Sequence, residues 1–350
     1  MEIYSLSCLG LLVFGPANNS MPTLSPPKPH RGYPDLVALL ESRGMVIPDK
    51  ARAERKLAQI GYYRLSGFWY PCRQIKKDAV GQYVIDPASG NPVRDDTFQP
   101  GTNFHDILDL YLFDKKLRQL MLDAIERIEI HARSVIAHEM GYHDSLAYQN
   151  QSFVNPKTYR AWIDTRGNSR NIWQEWLAKQ DAQIERSRED CIVWHRNQAK
   201  AIPFWVAVEA WDFGIMSKYF EILNGRYQNR IGARLNIANP RILKCWLQEI
   251  NTLRNRCAHH TRIWNQSFAS PLPFSSDKYF QDLSLTPNAL TRMYGMICVL
   301  WFLVRQIGPS SRWLNHVADL IDSKPAIDCC PNTAMGFSDN SGFPRGRFKL

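Results

Sequence analysis

An all-α fold is what this sequence predicts, and three observations predict it. Apolar residues recur at three- and four-residue steps through the longest regular stretch, from Asn103 to about His138. Start and stop signals for helices bracket several other runs. Strand–helix–strand alternation and internal repeats are missing from all 350 residues.

Taken in order, residues 1–20 carry a short apolar run, Leu6 to Phe14, preceded by Glu2 and by no Lys or Arg that would start a secretory signal. Met21 opens a polar, Pro-rich stretch suited to an N-terminus. Residues 1–33 are therefore expected to be a flexible leader, with 1–20 a mis-assigned start. A helix over about 34–42 groups Leu36, Leu39 and Leu40 and stops near Gly44. The next begins with Asp49 as N-cap, includes Leu57, and meets Gly61 at its end. Residues 78–102 hold Gly81, Pro87, Gly90, Asn91, Pro92 and Pro100, the makings of a loop or small hairpin. Residues 34–102 thus read as an N-terminal helical extension.

The long helix carries Phe104, Leu108, Leu112, Leu117, Leu120, Ile125, Ile128 and Val135 between charged residues. It is expected to close at Gly141, and its length leaves room for a kink. Residues 145–200 are polar and rich in Trp, Gln and Arg, enough for one or two helices with long connections. Further helices are expected at about 203–223, 240–262, 287–306 and 309–322, completing a helical core over 103–324. Residues 325–350 have the composition of a tail.

The bulk composition, 45% apolar and 12% aromatic, excludes a disordered chain and supports a packed core. A formal net charge of +10 favours polyanionic partners, nucleic acid first among them. The longest later apolar run, Met293 to Val304, is flanked by Arg292 and Arg305 and is too short to span a bilayer, so no membrane association is expected. The 8 Cys are scattered with no C-x-x-C pair, which predicts free thiols in a reducing cytoplasm and neither a zinc site nor a disulfide framework. No cofactor is expected, and no role is assigned to the adjacent Cys329 and Cys330.

The densest polar run on this apolar background is Leu253-Arg254-Asn255-Arg256-Cys257-Ala258-His259-His260-Thr261-Arg262-Ile263-Trp264-Asn265. Its centre is Arg-x4-His. RNA carries its own nucleophile, the 2′-hydroxyl, so metal-free cleavage needs little from the protein. It requires a group that exchanges protons near neutrality, for which His is suited, and a fixed cation on the phosphate, for which Arg is suited. The spacing alone is weak. With 9 His in 350 residues, roughly one accidental match is expected, and Arg133–His138 is a second match. Five helical steps also set two side chains about 140° apart. The pair converges only by straddling a helix start or through the reach of Arg; otherwise the run is a solvated basic face. His138-Glu139 followed by His143 has the second His one place too far for a zinc-protease box, with Gly141 expected to end the helix between them, so no metal is assigned there.

Several blocks in order carry a resemblance. They are Ile60-Gly61-Tyr62-Tyr63-Arg64-Leu65-Ser66-Gly67-Phe68-Trp69, Leu110 to Arg118, Asp123 to Ile130, Pro203-Phe204-Trp205, Phe213 to Lys218, and the Arg254–Asn265 run. Over about residues 34–270 the chain resembles the abortive-infection proteins (Abi-like, AbiD/AbiF type), a branch of the HEPN superfamily. The resemblance implies a HEPN-like helical bundle and a metal-independent endoribonuclease that leaves a 2′,3′-cyclic phosphate. It also implies a homodimer that assembles the site, and a growth-arresting role in phage defence under an antitoxin or small-RNA regulator. In such families Arg-Asn-x-x-x-His is the ribonuclease signature, which places Arg254, Asn255 and His259 here. Because the spacing varies in such families, His260 is an alternative to His259 as the catalytic residue; with His259 in that role, His260 contacts RNA or packs. Asn255 has two open roles, orienting the His or capping a helix. Arg256 and Arg262 are candidate phosphate contacts. Arg133 is expected to face the cleft beside an acidic neighbour. Arg64, with Tyr62 and Tyr63, either packs or touches RNA. The competing class is a non-catalytic RNA-binding or partner-binding module.

Overall fold

The computed structural model describes residues 27–348. The expected mis-assigned start and most of the leader lie outside the described residues. The N-terminal extension comprises α1 (Tyr33–Ser42), α2 (Lys50–Ile60) and α3 (Tyr62–Trp69). Asp49 caps α2 by accepting the amide of Arg52, and Gly61 turns the chain between α2 and α3 at φ 93°. The turn-rich stretch is a hairpin in which β1 (Arg73–Ile75) runs antiparallel to β2 (Arg94–Phe98), with Arg73 opposite Phe98.

Asn103 then caps α4 (Phe104–His143), a single helix of 40 residues. It does not stop at Gly141. The glycine is there for packing: a Cβ at 141 would come within 3.1 Å of Trp205 Cε3. The apolar spacing reports the buried face well, except at Leu112, which is 48% exposed.

Helix α4 is the axis of the molecule, and α3 packs against it, as do six of the helices that follow. The polar 145–200 stretch forms a two-residue ribbon of β3 (Trp162–Ile163) and β4 (Ser169–Arg170), then α5 (Ile172–Arg186) and α6 (Asp190–Asn197). The segment expected as one helix over 203–223 is broken into α7 (Phe204–Ala207) and α8 (Phe213–Ile222). Asp212 makes the break by capping α8, its Oδ1 accepting the Ile215 amide at 2.8 Å. Helix α9 (Gly225–Arg234) was not anticipated; α10 (Pro240–Ala258) follows it. The remaining helices are α11 (Lys278–Leu283), α12 (Pro287–Leu290), α13 (Met293–Ile307), α14 (Trp313–Asp322) and α15 (Arg345–Phe348). Helices α7, α8, α9, α10, α13 and α14 are the six that join α3 around α4. The all-α expectation therefore holds. Among the described residues, no helix is long and apolar enough to cross a membrane.

Two expectations are corrected at the C-terminal end. Residues 325–348 are not a loose tail: Cys330, Met335, Phe337 and Phe343 are buried, and Phe337 stacks on Tyr294 at 4.5 Å between ring centres. Gly336 permits the approach, since a Cβ there would meet Arg292 Cβ at 2.8 Å and φ is 96°. Polar spacing in a short sequence hides such packing because the few apolar residues are far apart along the chain. The cysteines are not all free thiols either. Cys72 and Cys329 form a disulfide across 257 residues, with Cys330 Sγ 3.8 Å from Cys72 Sγ.

Candidate active site

Helix α10 buries Leu243, Trp246, Leu247, Ile250, Leu253 and Cys257 along one face. Arg254, Asn255 and Arg256 lie on its last turn, Asn255 exposed and the two arginines half-buried. The helix ends at Ala258, four residues short of the expected end. The helix stops there because His260 adopts the left-handed conformation at φ 57°. The His260 amide donates to the Cys257 carbonyl (3.1 Å) and the Thr261 amide to the Arg256 carbonyl (2.8 Å). These two bonds are the Schellman helix end, which ordinarily uses Gly at this place.

Arg254 is helical, whereas His259 is the cap residue at φ −87°, ψ 10°. The helix ends between the two, but the residues before the cap still set the direction of the His259 Cβ, so the pair meets only through the reach of Arg254. Both His259 and His260 are exposed. Arg254 Nη1 donates to Asn255 Oδ1 at 3.3 Å, so Asn255 contacts the arginine of the pair.

The chain beyond His260 is held by Asp114 of α4. Its Oδ1 accepts the amides of Ile263 (2.9 Å) and Trp264 (2.8 Å), and its Oδ2 accepts a hydrogen bond from Arg118. Burial pushes the Asp114 carboxyl up, against the pull of Arg118 and of those two amides. Arg64 of α3 donates to the His260 carbonyl at 2.8 Å, so it braces the loop from outside. Arg262 turns inward: Nη1 stands 3.4 Å from where a Cβ at Gly67 would be, and its Nε and Nη1 are buried without a hydrogen-bond partner. The geometry thus gives Arg64 and Arg262 places in holding the loop. Trp264 is buried in the core.

Helix α4 supplies a second set of charges beside Arg254. Arg133 is salt-bridged to Glu129, one helical turn earlier. Burial raises the Glu129 carboxyl, opposed by the charges of Arg133 and Arg254, and Asp212 raises it further. Four charged side chains from α4, the α8 cap and α10 thus share one electrostatic neighbourhood. Glu129 and Asp212 were not singled out from sequence. The i, i+4 spacing of Glu129 and Arg133 was a legible signal for the first; Asp212 reaches the group only through the fold.

The other Arg-x4-His pair does not form such a unit. Arg133 is engaged with Glu129, while His138 Nδ1 receives a hydrogen bond from Arg234 Nη1 at 2.9 Å. Glu139 and His143 are both met by Arg230, whose Nη1 is 3.4 Å from Glu139 Oε1 and 2.9 Å from His143 Nε2. These groups carry cations from α9.

No curated protein and no solved structure matches the chain. The model of one protein family, described as Abi-like protein, matches residues 55–265, a span that contains Arg64, Arg133 and the whole Arg254–Arg262 run and excludes Cys329 and Cys330. It covers more than half of the chain, and the chain belongs to the Abi-like family.

Proposed function

We propose that the chain is a metal-independent endoribonuclease of HEPN type that acts as an effector of abortive infection in phage defence. One observation carries this reading: a half-buried Arg254 near the end of α10 and an exposed His259 at its cap stand five residues apart, with Arg254 and Arg133 both acting on the charge of Glu129. In the reaction the RNA 2′-oxygen attacks its own phosphorus and the bond to the 5′-oxygen breaks. His259 moves a proton at one of these two oxygens, and Arg254 faces the charge that builds on the phosphoryl oxygens. Asn255 orients Arg254 through its Oδ1. A second copy of the chain supplies the partner proton-transfer group across a two-fold axis. RNA cleavage in a growing cell calls for restraint, for which an antitoxin or small RNA is the class of partner.

The second reading is a non-catalytic RNA-binding or partner-binding module. It is favoured by Glu129 and Asp212, whose charges answer those of Arg254 and Arg133.

The deciding experiment incubates purified protein with total bacterial RNA in EDTA, beside the Arg254→Ala/His259→Ala double variant. Cleavage by wild type alone, leaving 2′,3′-cyclic phosphate ends, is expected. Equal cleavage by both would sink the assignment of the site. Cellular toxicity that survives both substitutions would favour the binding module.

A further inference from the structure

We propose that the sulfurs of Cys72, Cys329 and Cys330, when reduced, form a zinc site that pins the C-terminal segment to the turn after α3. Cys72 ends the short turn that follows α3, and the adjacent pair lies in the segment after α14. The three Sγ atoms all lie within 4.8 Å of one another. Thiolates about 2.3 Å from a tetrahedral zinc ion stand about 3.8 Å apart. Cys72 Sγ and Cys330 Sγ are 3.8 Å apart, and the proposal requires the Cys329 sulfur to move out to the same spacing once its bond to Cys72 is opened.

The surroundings fit an anionic complex. Three thiolates on a divalent ion carry one net negative charge, and Arg262, Lys324 and Arg94 all lie close enough to act on the Cys330 sulfur. Arg262 is the most telling of these, because its buried Nε and Nη1 have no hydrogen-bond partner. A buried donor left unpaired is costly, and a metal-bound thiolate is an acceptor of the right charge. A cavity of about 360 Å³, lined by Lys324, Asp328 and Cys330 among others, reaches the cluster at Cys330. It is an entry path for the ion and leaves room for a water as fourth ligand.

The chemistry balances with a dithiol as reductant. The Cys72–Cys329 bond takes two electrons and two protons from the dithiol, which closes to its own disulfide. Zinc then displaces three protons from the three thiols. With the disulfide form of that dithiol as oxidant the sequence runs backwards: three protons return to the sulfurs as zinc leaves, and the Cys72 and Cys329 thiols pass two electrons and two protons to the oxidant as their disulfide reforms. The site does not depend on the RNA-cleavage reading, because its ligands lie outside the Arg254–His259 pair.

The test treats the full chain with EDTA and excess dithiol, removes both without air, and titrates zinc and, separately, cobalt(II). One zinc per chain is expected, and cobalt should give the intense near-ultraviolet band of thiolate-to-metal charge transfer. Cys330→Ser should weaken zinc binding by more than the ~10–100-fold cost of losing an outer-shell partner. The same variant should still form the Cys72–Cys329 disulfide in air. Reduced wild type that takes up no zinc and shows no cobalt band would overturn the proposal, whether or not the variant folds. So would a disulfide that survives excess dithiol in the folded chain, or a Cys330→Ser protein that binds zinc as wild type does.

Discussion

Asp114→Asn is the substitution whose cost the structure specifies best. Asp114 is fully buried and Arg118 is 4% exposed. The asparagine keeps a carbonyl oxygen for the amides of Ile263 and Trp264, but it leaves the Arg118 guanidinium without a counter-ion. Removing one partner of a buried pair costs about 3–5 kcal/mol, a large part of the ~5–15 kcal/mol that stabilises a typical domain. Replacing the pair by uncharged groups of similar volume costs far less, because no charge is left stranded. Arg118→Met on top of Asp114→Asn should therefore recover stability. Urea unfolding followed by tryptophan fluorescence would measure wild type, both single variants and the double variant as a thermodynamic cycle. A double variant less stable than Asp114→Asn would refute the reasoning, placing the cost in lost packing or in the loop amides. Because Asp114 also holds the chain beyond His260, the single variant should lose RNA cleavage or binding at temperatures where it is still folded.

Two further outcomes follow from the same region. His260→Gly should stabilise the chain by about 0.5–1 kcal/mol, since glycine adopts the left-handed helix end without the Cβ penalty and the two closing bonds are main-chain; an unchanged or lower urea midpoint would count against it. If the His260 imidazole touches RNA, the same variant binds RNA more weakly while being more stable. Glu129 has its carboxyl raised from 4.5, chiefly by burial. A raised carboxyl means that the native chain holds a proton that the unfolded chain has released, so its contribution is present at low pH and is lost as pH rises through the folded value. Stability of wild type should fall with pH above about 4.5 in that window, and Glu129→Gln should flatten the slope; an identical slope in both would remove Glu129 as its source.

Much of this molecule is written locally. Apolar residues at three- and four-residue steps suffice for α4, and Asp49, Gly61 and Asn103 mark helix boundaries through hydrogen bonds to residues two to four places away. Such signals need no knowledge of the rest of the chain. The Arg254–His259 motif was legible for a different reason, because it stands in a run of polar residues inside an apolar background. Its geometry was not. Whether the helix continues to 262 or ends at Ala258 depends on the left-handed turn at His260, which Arg64 and Asp114 support from 196 and 149 residues away. The same holds for Glu129 beside Arg254, for Arg262 turning inward, and for Cys72 meeting Cys329. Periodicity tells which face of a helix is apolar; it carries no information about which distant face will be laid against it. That choice is made by the packing of the whole core around α4, and the partners of each charged group in the site are set only then.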